Sequence, residues 1–334
     1  MIKLSDLADA PRLLLEAELQ PVQTDRFQPT GFPDLGPATY TLADGTEMLL
    51  VESNQSMANR MEAACWDEAG DGLAAPLKGI PYVHVAIEQG GKSIAKTASV
   101  LEAHRLNSPY VLEGTLSDGN SFGTVFVDAA GAQAGLPLDR QRAVNAIFRF
   151  DPFALLHGLF MSNVGDGRMR LARVLSSFVE ARNVRVAQSG GVKNDRVNPS
   201  GDTSKGFGNV PFARTEFTAE RVAAFFNLDL RQLRALGLPE AAQDLLLLLA
   251  LYKFRRVAAD GLRLRTACDL ECKGMAATAP AGFKLPALGE IESALPGAIA
   301  ACGEYFAEPR VTEVTFKVSA ASSKASKKAR ESEE

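Results

Sequence analysis

Cysteine is scarce in this chain, with Cys65, Cys268, Cys272 and Cys302 the only four in 334 residues and no C-x-x-C pair among them. That pattern does not build the disulfide framework of a small secreted domain. Cys268 and Cys272 would share a metal on a helix, but Leu262, Leu264, Thr266, Cys268 and Leu270 alternate as a strand does. A strand holds them about 13 Å apart, too far to chelate one ion, so no metal and no other cofactor is expected. Histidine is scarcer still: His84, His104 and His157 are the only three. Glu102 and Arg105 stand near His104, yet close neighbours on a helix do not face one another, and no nucleophile motif accompanies them. A small-molecule hydrolase or transferase therefore has little to stand on. Long apolar runs are missing too. The longest, Leu245 to Leu251, is far below the roughly 20 residues that span a bilayer. Met1 to Asp9 has Lys3 as its one base and lacks the apolar stretch of a signal peptide. The expected location is cytoplasmic, with no membrane partner.

What the chain does have is an ordinary globular balance, 46% hydrophobic and 23% charged, and an uneven distribution of charge. Net charge is −4, but between Arg140 and Arg214 twelve basic residues face five acidic ones, leaving the remainder at −11. One basic surface on an acidic body is the footprint that a polyanionic ligand requires.

Hydrophobic periodicity outlines the elements. Arg12 to Val22 reads as a first strand. Ser53 to Asp67 reads as a helix, with Met57, Met61, Ala64 and Cys65 on one face and Ser53 or Asn54 as cap. Ile80 to Glu88 is a strand candidate and Ala95 to Leu106 a helical one; Gly114 to Asp139 is turn-rich around a short FGTVFV strand. Asp151 to Met161 reads as a short buried helix with Pro152 in its first turn. Two long strands, Arg173 to Ala187 and Ala213 to Leu230, flank a polar, glycine-rich loop from Gln188 to Phe212. Pro239 to Ala258 is an apolar helix, Gly261 to Glu271 a closing strand, and the tail from Ser319 is polar and expected to be disordered. The order strand, helix, strand, strand, helix, strand predicts an α+β fold of ferredoxin-like (RRM-like) type, with 90–167 inserted into it.

The segment Glu52 to Glu62 (ESNQSMANRME) is the most distinctive. Gln55, Ser56, Asn59 and Arg60 lie opposite the apolar face at the start of a helix, where free N–H groups and the dipole favour phosphate. Arg168 and Arg170 share one face of an extended segment and Arg173 lies on the other. Lys193 and Arg196 sit in the long loop, free to reach a phosphate backbone. Lys205 to Phe212 (KGFGNVPF) matches the RNA-recognition octamer of RRM domains except at Asn209, and Pro211 suits a central strand poorly. It reads better as a glycine-rich loop whose Phe207 stacks on a base, and Lys205 is not set in a P-loop.

Gln55-Ser56-x-Ala58-Asn59-Arg60-x-Glu62 after a first strand, Arg173 followed by Ser176-Ser177, and a loop with Gly191, Lys193, Asp195 and Asn198 together resemble the backbone family of type I-U (now I-G) CRISPR complexes. That is the Cas7 counterpart of those systems, in the RAMP superfamily, and the resemblance runs from about Leu13 to about Glu271. It implies a hand-shaped scaffold and not an enzyme. The palm would be 1–89 and 168–318, with a thumb loop at 188–212, fingers at 90–167 and a disordered tail at 319–334. Copies would polymerise along a CRISPR guide RNA beside other subunits of the effector complex and present the guide to a target DNA strand. The residues expected on RNA are Ser53, Gln55, Ser56, Asn59, Arg60, His104, Arg105, Arg168, Arg170, Arg173, Lys193, Arg196, Lys205 and Phe207. The rival is a type III-like ribonuclease using a palm-loop aspartate, Asp25 or Asp34, although a lone aspartate after a strand is more often a turn former.

Overall fold

Leu13, Leu15, Ala17 and Leu19 are buried while Glu16 and Glu18 turn to the other face, the two-residue period of a strand with one covered side. This strand, Arg12–Pro21, lies near the middle of a seven-stranded sheet. The structure is a computed structural model that describes residues 3–32, 34–133, 135–164 and 167–318. The expected disordered tail at 319–334 lies outside them. Across the sheet the order is Leu262–Arg265, Cys268–Ala279, Arg12–Pro21, Arg221–Asp229, Leu175–Arg182, Glu47–Glu52 and Thr39–Thr41. Every neighbouring pair is antiparallel.

Two helices cover one face. Asn54–Ala63 is capped by Ser53, whose hydroxyl accepts the Ser56 N–H, and it buries Met57 and Met61. Glu240–Ala259 buries every side chain from Leu245 to Phe254, and Phe254 packs on Phe226 of the sheet with ring centroids 4.9 Å apart. Each such buried apolar side chain contributes about 1.5 to 3 kcal/mol. Both helices stand where the periodicity puts them, except that the first ends at Ala63, and Trp66–Asp67, read as its last turn, is a short strand. The four strands read from the sequence run along the chain as Arg12–Pro21, Leu175–Arg182, Arg221–Asp229 and Cys268–Ala279, and lie in the sheet as fourth, first, third, second.

The two long strands are each broken in two. Leu175–Arg182 belongs to the sheet, but at Asn183 the backbone takes φ +52°, a conformation asparagine tolerates, and Arg185–Lys193 leaves the sheet. It pairs residue for residue with Val210–Thr218, from Arg185 opposite Thr218 to Lys193 opposite Val210. The result is a two-stranded ribbon, exposed on both faces over most of its length, that carries most of the expected loop 188–212. Arg221–Asp229 then rejoins the sheet.

Four further expectations need correction. The helix read over Asp151 to Met161 spans only Pro152–His157, and Leu159–Val164 is a strand. Ala95 to Leu106 is not helical: Lys92–Ala98 is a strand hairpinned onto Tyr82–Gln89 through Gly90 and Gly91, both at positive φ. FGTVFV is not a strand but the start of a helix, Phe122–Ala130, capped by Ser121. Its Phe122, Phe126 and Ala130 recur at helical spacing into the core, so burial overrides β propensity. Cys268–Ala279 continues well past Glu271. The sequence reading did not register the helices Arg140–Phe150 and Leu288–Ala301, or the strand Val311–Lys317 that runs parallel to Tyr82–Gln89. Buried side chains between Ala98 and Met161 share one continuous hydrophobic core with the sheet and its helices.

Candidate nucleic-acid interface

At the start of the first helix the polar side chains divide into two groups. Ser56 and Arg60 turn inward to Glu52, a carboxylate only 2% exposed. The Ser56 hydroxyl donates to it, the Arg60 guanidinium lies 3.4 Å away, and Arg265 pairs with its other oxygen. Arg60 also donates to the carbonyls of Leu264 (2.8 Å) and Arg263 (3.3 Å), tying the helix to the edge of the sheet. These bonds engage Ser56 and Arg60, two of the residues expected on RNA, within the fold itself. Arg60→Ala leaves Glu52 buried with one cation fewer, at a cost of roughly 1 to 3 kcal/mol. A lowered melting temperature in the RNA-free protein is the expected result.

The second group faces outward. Gln55 is exposed and donates to Asn59, also exposed, at 3.1 Å. Arg173 lies across the helix start, donating to the Asn54 carbonyl (3.3 Å) and to the Gln55 side chain. Beside it opens a cleft of about 240 Å³ whose lining includes His104, Arg105, His157, Phe160, Arg170 and Arg173 and no carboxylate. Burial and the neighbouring Arg105 hold the Arg173 guanidinium below its ordinary value. Gly158 lets one wall close: a Cβ there would stand 2.9 Å from the Leu171 carbonyl oxygen.

Arg105 departs most from the sequence reading. It is 7% exposed, at φ +52°, with Nε donating to Glu62 (2.7 Å) and Nη1 to the Gly158 carbonyl (3.1 Å). This fixed residue forms the back of the cleft; it does not sweep across a surface. His157 beside it is buried, and desolvation, then Lys253, Arg105 and Arg173, push its pKa well below the ordinary histidine value. It is neutral at neutral pH.

Arg168 and Arg170 project from a hairpin of Leu159–Val164 and Gly167–Leu171, while Met161 and Met169 face the core. The two arginines thus share a face, as the alternation implies. Phe160, directly opposite Arg170, is 50% exposed, and the sequence reading passed over it. The remaining expected residues belong to the ribbon: Lys193 at its end, then Arg196, Lys205 and Phe207 in the loop 194–209, all exposed. Asp195 knits that loop by accepting the N–H groups of Val197, Asn198 and Gly208, which hold its pKa below the usual carboxylate range. Arg214 lies over Phe212 at 5.4 Å, adding to the ribbon a stacked cation that is not among the residues expected on RNA. Asp25 and Asp34 are both exposed, Asp34 in a turn at φ +67°. Among the described residues no group of three or more His, Cys, Asp or Glu is placed to hold a metal, and no helix is long and apolar enough to cross a membrane.

Near the cleft, Asp151 is fully buried, and burial pushes its carboxyl up to about 6. Its folded pKa lies above the unfolded one, so the stability it contributes is fully present below about pH 4 and lost as pH rises through about 6. Asp151→Asn, which retains an oxygen to cap Ala154, is expected to raise the melting temperature at pH 8 and leave it unchanged at pH 4. Thermal melts across that window check it.

A family model described as CRISPR-associated protein GSU0053 (Cas_GSU0053) matches residues 13–186, just over half of the chain. Solved structures similar to the chain include one titled "CRISPR RNA-guided surveillance complex, pre-nicking", at 12% identity and TM-score 0.42, over 79% of this chain and 75% of that one. Csc2 of Thermofilum pendens is another, at 9% identity and TM-score 0.32, over 87% and 76%. No curated protein matches.

Proposed function

The chain belongs to the GSU0053 family of CRISPR-associated proteins, a Cas7-type family, and on that premise we propose that it is the guide-RNA-binding backbone subunit of a type I (I-U, now I-G) interference complex. Its copies polymerise along the guide in the cytoplasm, beside other subunits of the complex, and present it for pairing with a target DNA strand. The observation that carries this reading is the cleft at the start of the first helix, where Arg105, Arg170 and Arg173 converge with no lining carboxylate. Such a surface suits a phosphate backbone and reads no base sequence, which is left to the guide itself.

Three features support a hand-like division of labour. The fourth, first, third, second order of the four strands, with two helices on one face, supports reading them as a ferredoxin-like palm. The exposed ribbon with Lys193, Arg196, Lys205 and Phe207 serves as the thumb, and the 90–167 region as the fingers. The role is that of a scaffold: the residues brought together bind and position a polyanion. Purifying the protein with its native nucleic acid and sequencing what comes with it tests the proposal. A repeat-derived guide is expected; heterogeneous RNA, or none, overturns it.

A further inference from the structure

The cleft beside the first helix has more structure than a phosphate track needs. On its inner side the Arg105 Nη2 and both ring nitrogens of His157 are buried without a hydrogen-bond partner among the described residues. Leaving a buried polar group unmet costs about 1 to 3 kcal/mol, so three unmet atoms on two side chains lining one cleft point to a group that enters it. Arg105 offers a donor, and neutral His157 offers one donor and one acceptor. A backbone phosphodiester, all acceptor, would leave the accepting histidine nitrogen unmet; a base edge carries both kinds of group. At the mouth, the half-exposed Phe160 ring provides an apolar face, and Arg170 and Arg173 provide the charge.

We infer that this cleft is a pocket for one ribonucleotide of the bound strand. The base stacks on Phe160 with its edge toward His157 and Arg105, and the phosphate rests between Arg170 and Arg173. A cation is disfavoured by Arg170 and Arg173, which no lining carboxylate offsets, while Arg105 behind them is already paired with Glu62. The assignment rests on the guide-RNA reading and deepens it, by making one residue of the β hairpin a base-stacking platform.

The test uses the full chain, freed of nucleic acid, with three probes: uridine 5′-monophosphate, uridine and inorganic phosphate, followed by NMR titration. The monophosphate is expected to bind at least tenfold more tightly than inorganic phosphate. Phe160→Ala, a change at an exposed position, is expected to remove that advantage while leaving inorganic phosphate binding as it was. A monophosphate that binds no better than phosphate, or an advantage that survives Phe160→Ala, overturns the pocket. These outcomes separate the two readings. If the co-purified RNA is a repeat-derived guide and the pocket fails its test, the scaffold reading stands without it. If uridine 5′-monophosphate binds as expected and no guide co-purifies, the pocket stands and the guide reading falls.

Discussion

Reversing both Arg170 and Arg173 to glutamate is expected to weaken guide-RNA binding by on the order of a hundredfold at moderate salt. Each removes a cation from a cleft that has no lining carboxylate and puts a repelling charge in its place. The salt dependence should change with the affinity. For a single-stranded ligand each phosphate no longer neutralised lowers the slope of log K against log salt by about 0.7, so losing the phosphate that the two arginines share should lower it by about 0.7. Arg170 is exposed on its hairpin, and Arg170→Glu alone should fold as wild type does. Arg173 braces the helix start through Asn54 and Gln55, so its variants need a thermal melt beside the binding measurement. Undiminished affinity and slope in a folded double variant would move the RNA path away from this cleft.

Why the sequence disclosed some of this site and hid the rest follows from what each signal measures. Periodicity reports which side chains face the core, so both sheet-covering helices and the shared face of Arg168 and Arg170 were legible. Where the chain turns out of the sheet, periodicity says nothing. Strand alternation runs straight through Asn183, and only its positive φ reveals that Arg185–Lys193 departs to form the ribbon. The Lys92–Ala98 strand has one buried end and otherwise exposed residues, so it lacks the apolar alternation that marks a strand. Charge is legible in sequence, but its commitments are not. Arg60 and Arg173 look alike in a list of basic residues, yet one is spent on the buried Glu52 and the other stands at the mouth of the cleft. Phe160 went unnoticed because a single aromatic in an apolar stretch reads as core. Its exposure depends on the partner strand that carries Arg170 beside it.

The Lys193→Glu, Arg196→Glu double variant is expected to fold normally yet fail to protect guide RNA or build filaments. Both positions are exposed, and neither belongs to the sheet or its covering helices, so stability has little reason to change. The ribbon is paired by backbone hydrogen bonds from Arg185 to Lys193, and Asp195 organises the loop beyond it through three N–H groups. What reaches a ligand is therefore a structured arm with charge along it and exposed Val197 and Phe207 near its end. An arm of this kind, standing clear of its own sheet, can engage RNA and a neighbouring copy together. Losing its charge should then affect assembly as well as affinity. Gly206, exposed and at φ +80°, marks backbone open to cleavage, and protease should cut 194–209 readily in free protein. Bound guide should slow that cut severalfold. If the double variant sediments as wild type does with guide RNA, or if the loop is cut equally fast with and without it, the ribbon is not the thumb.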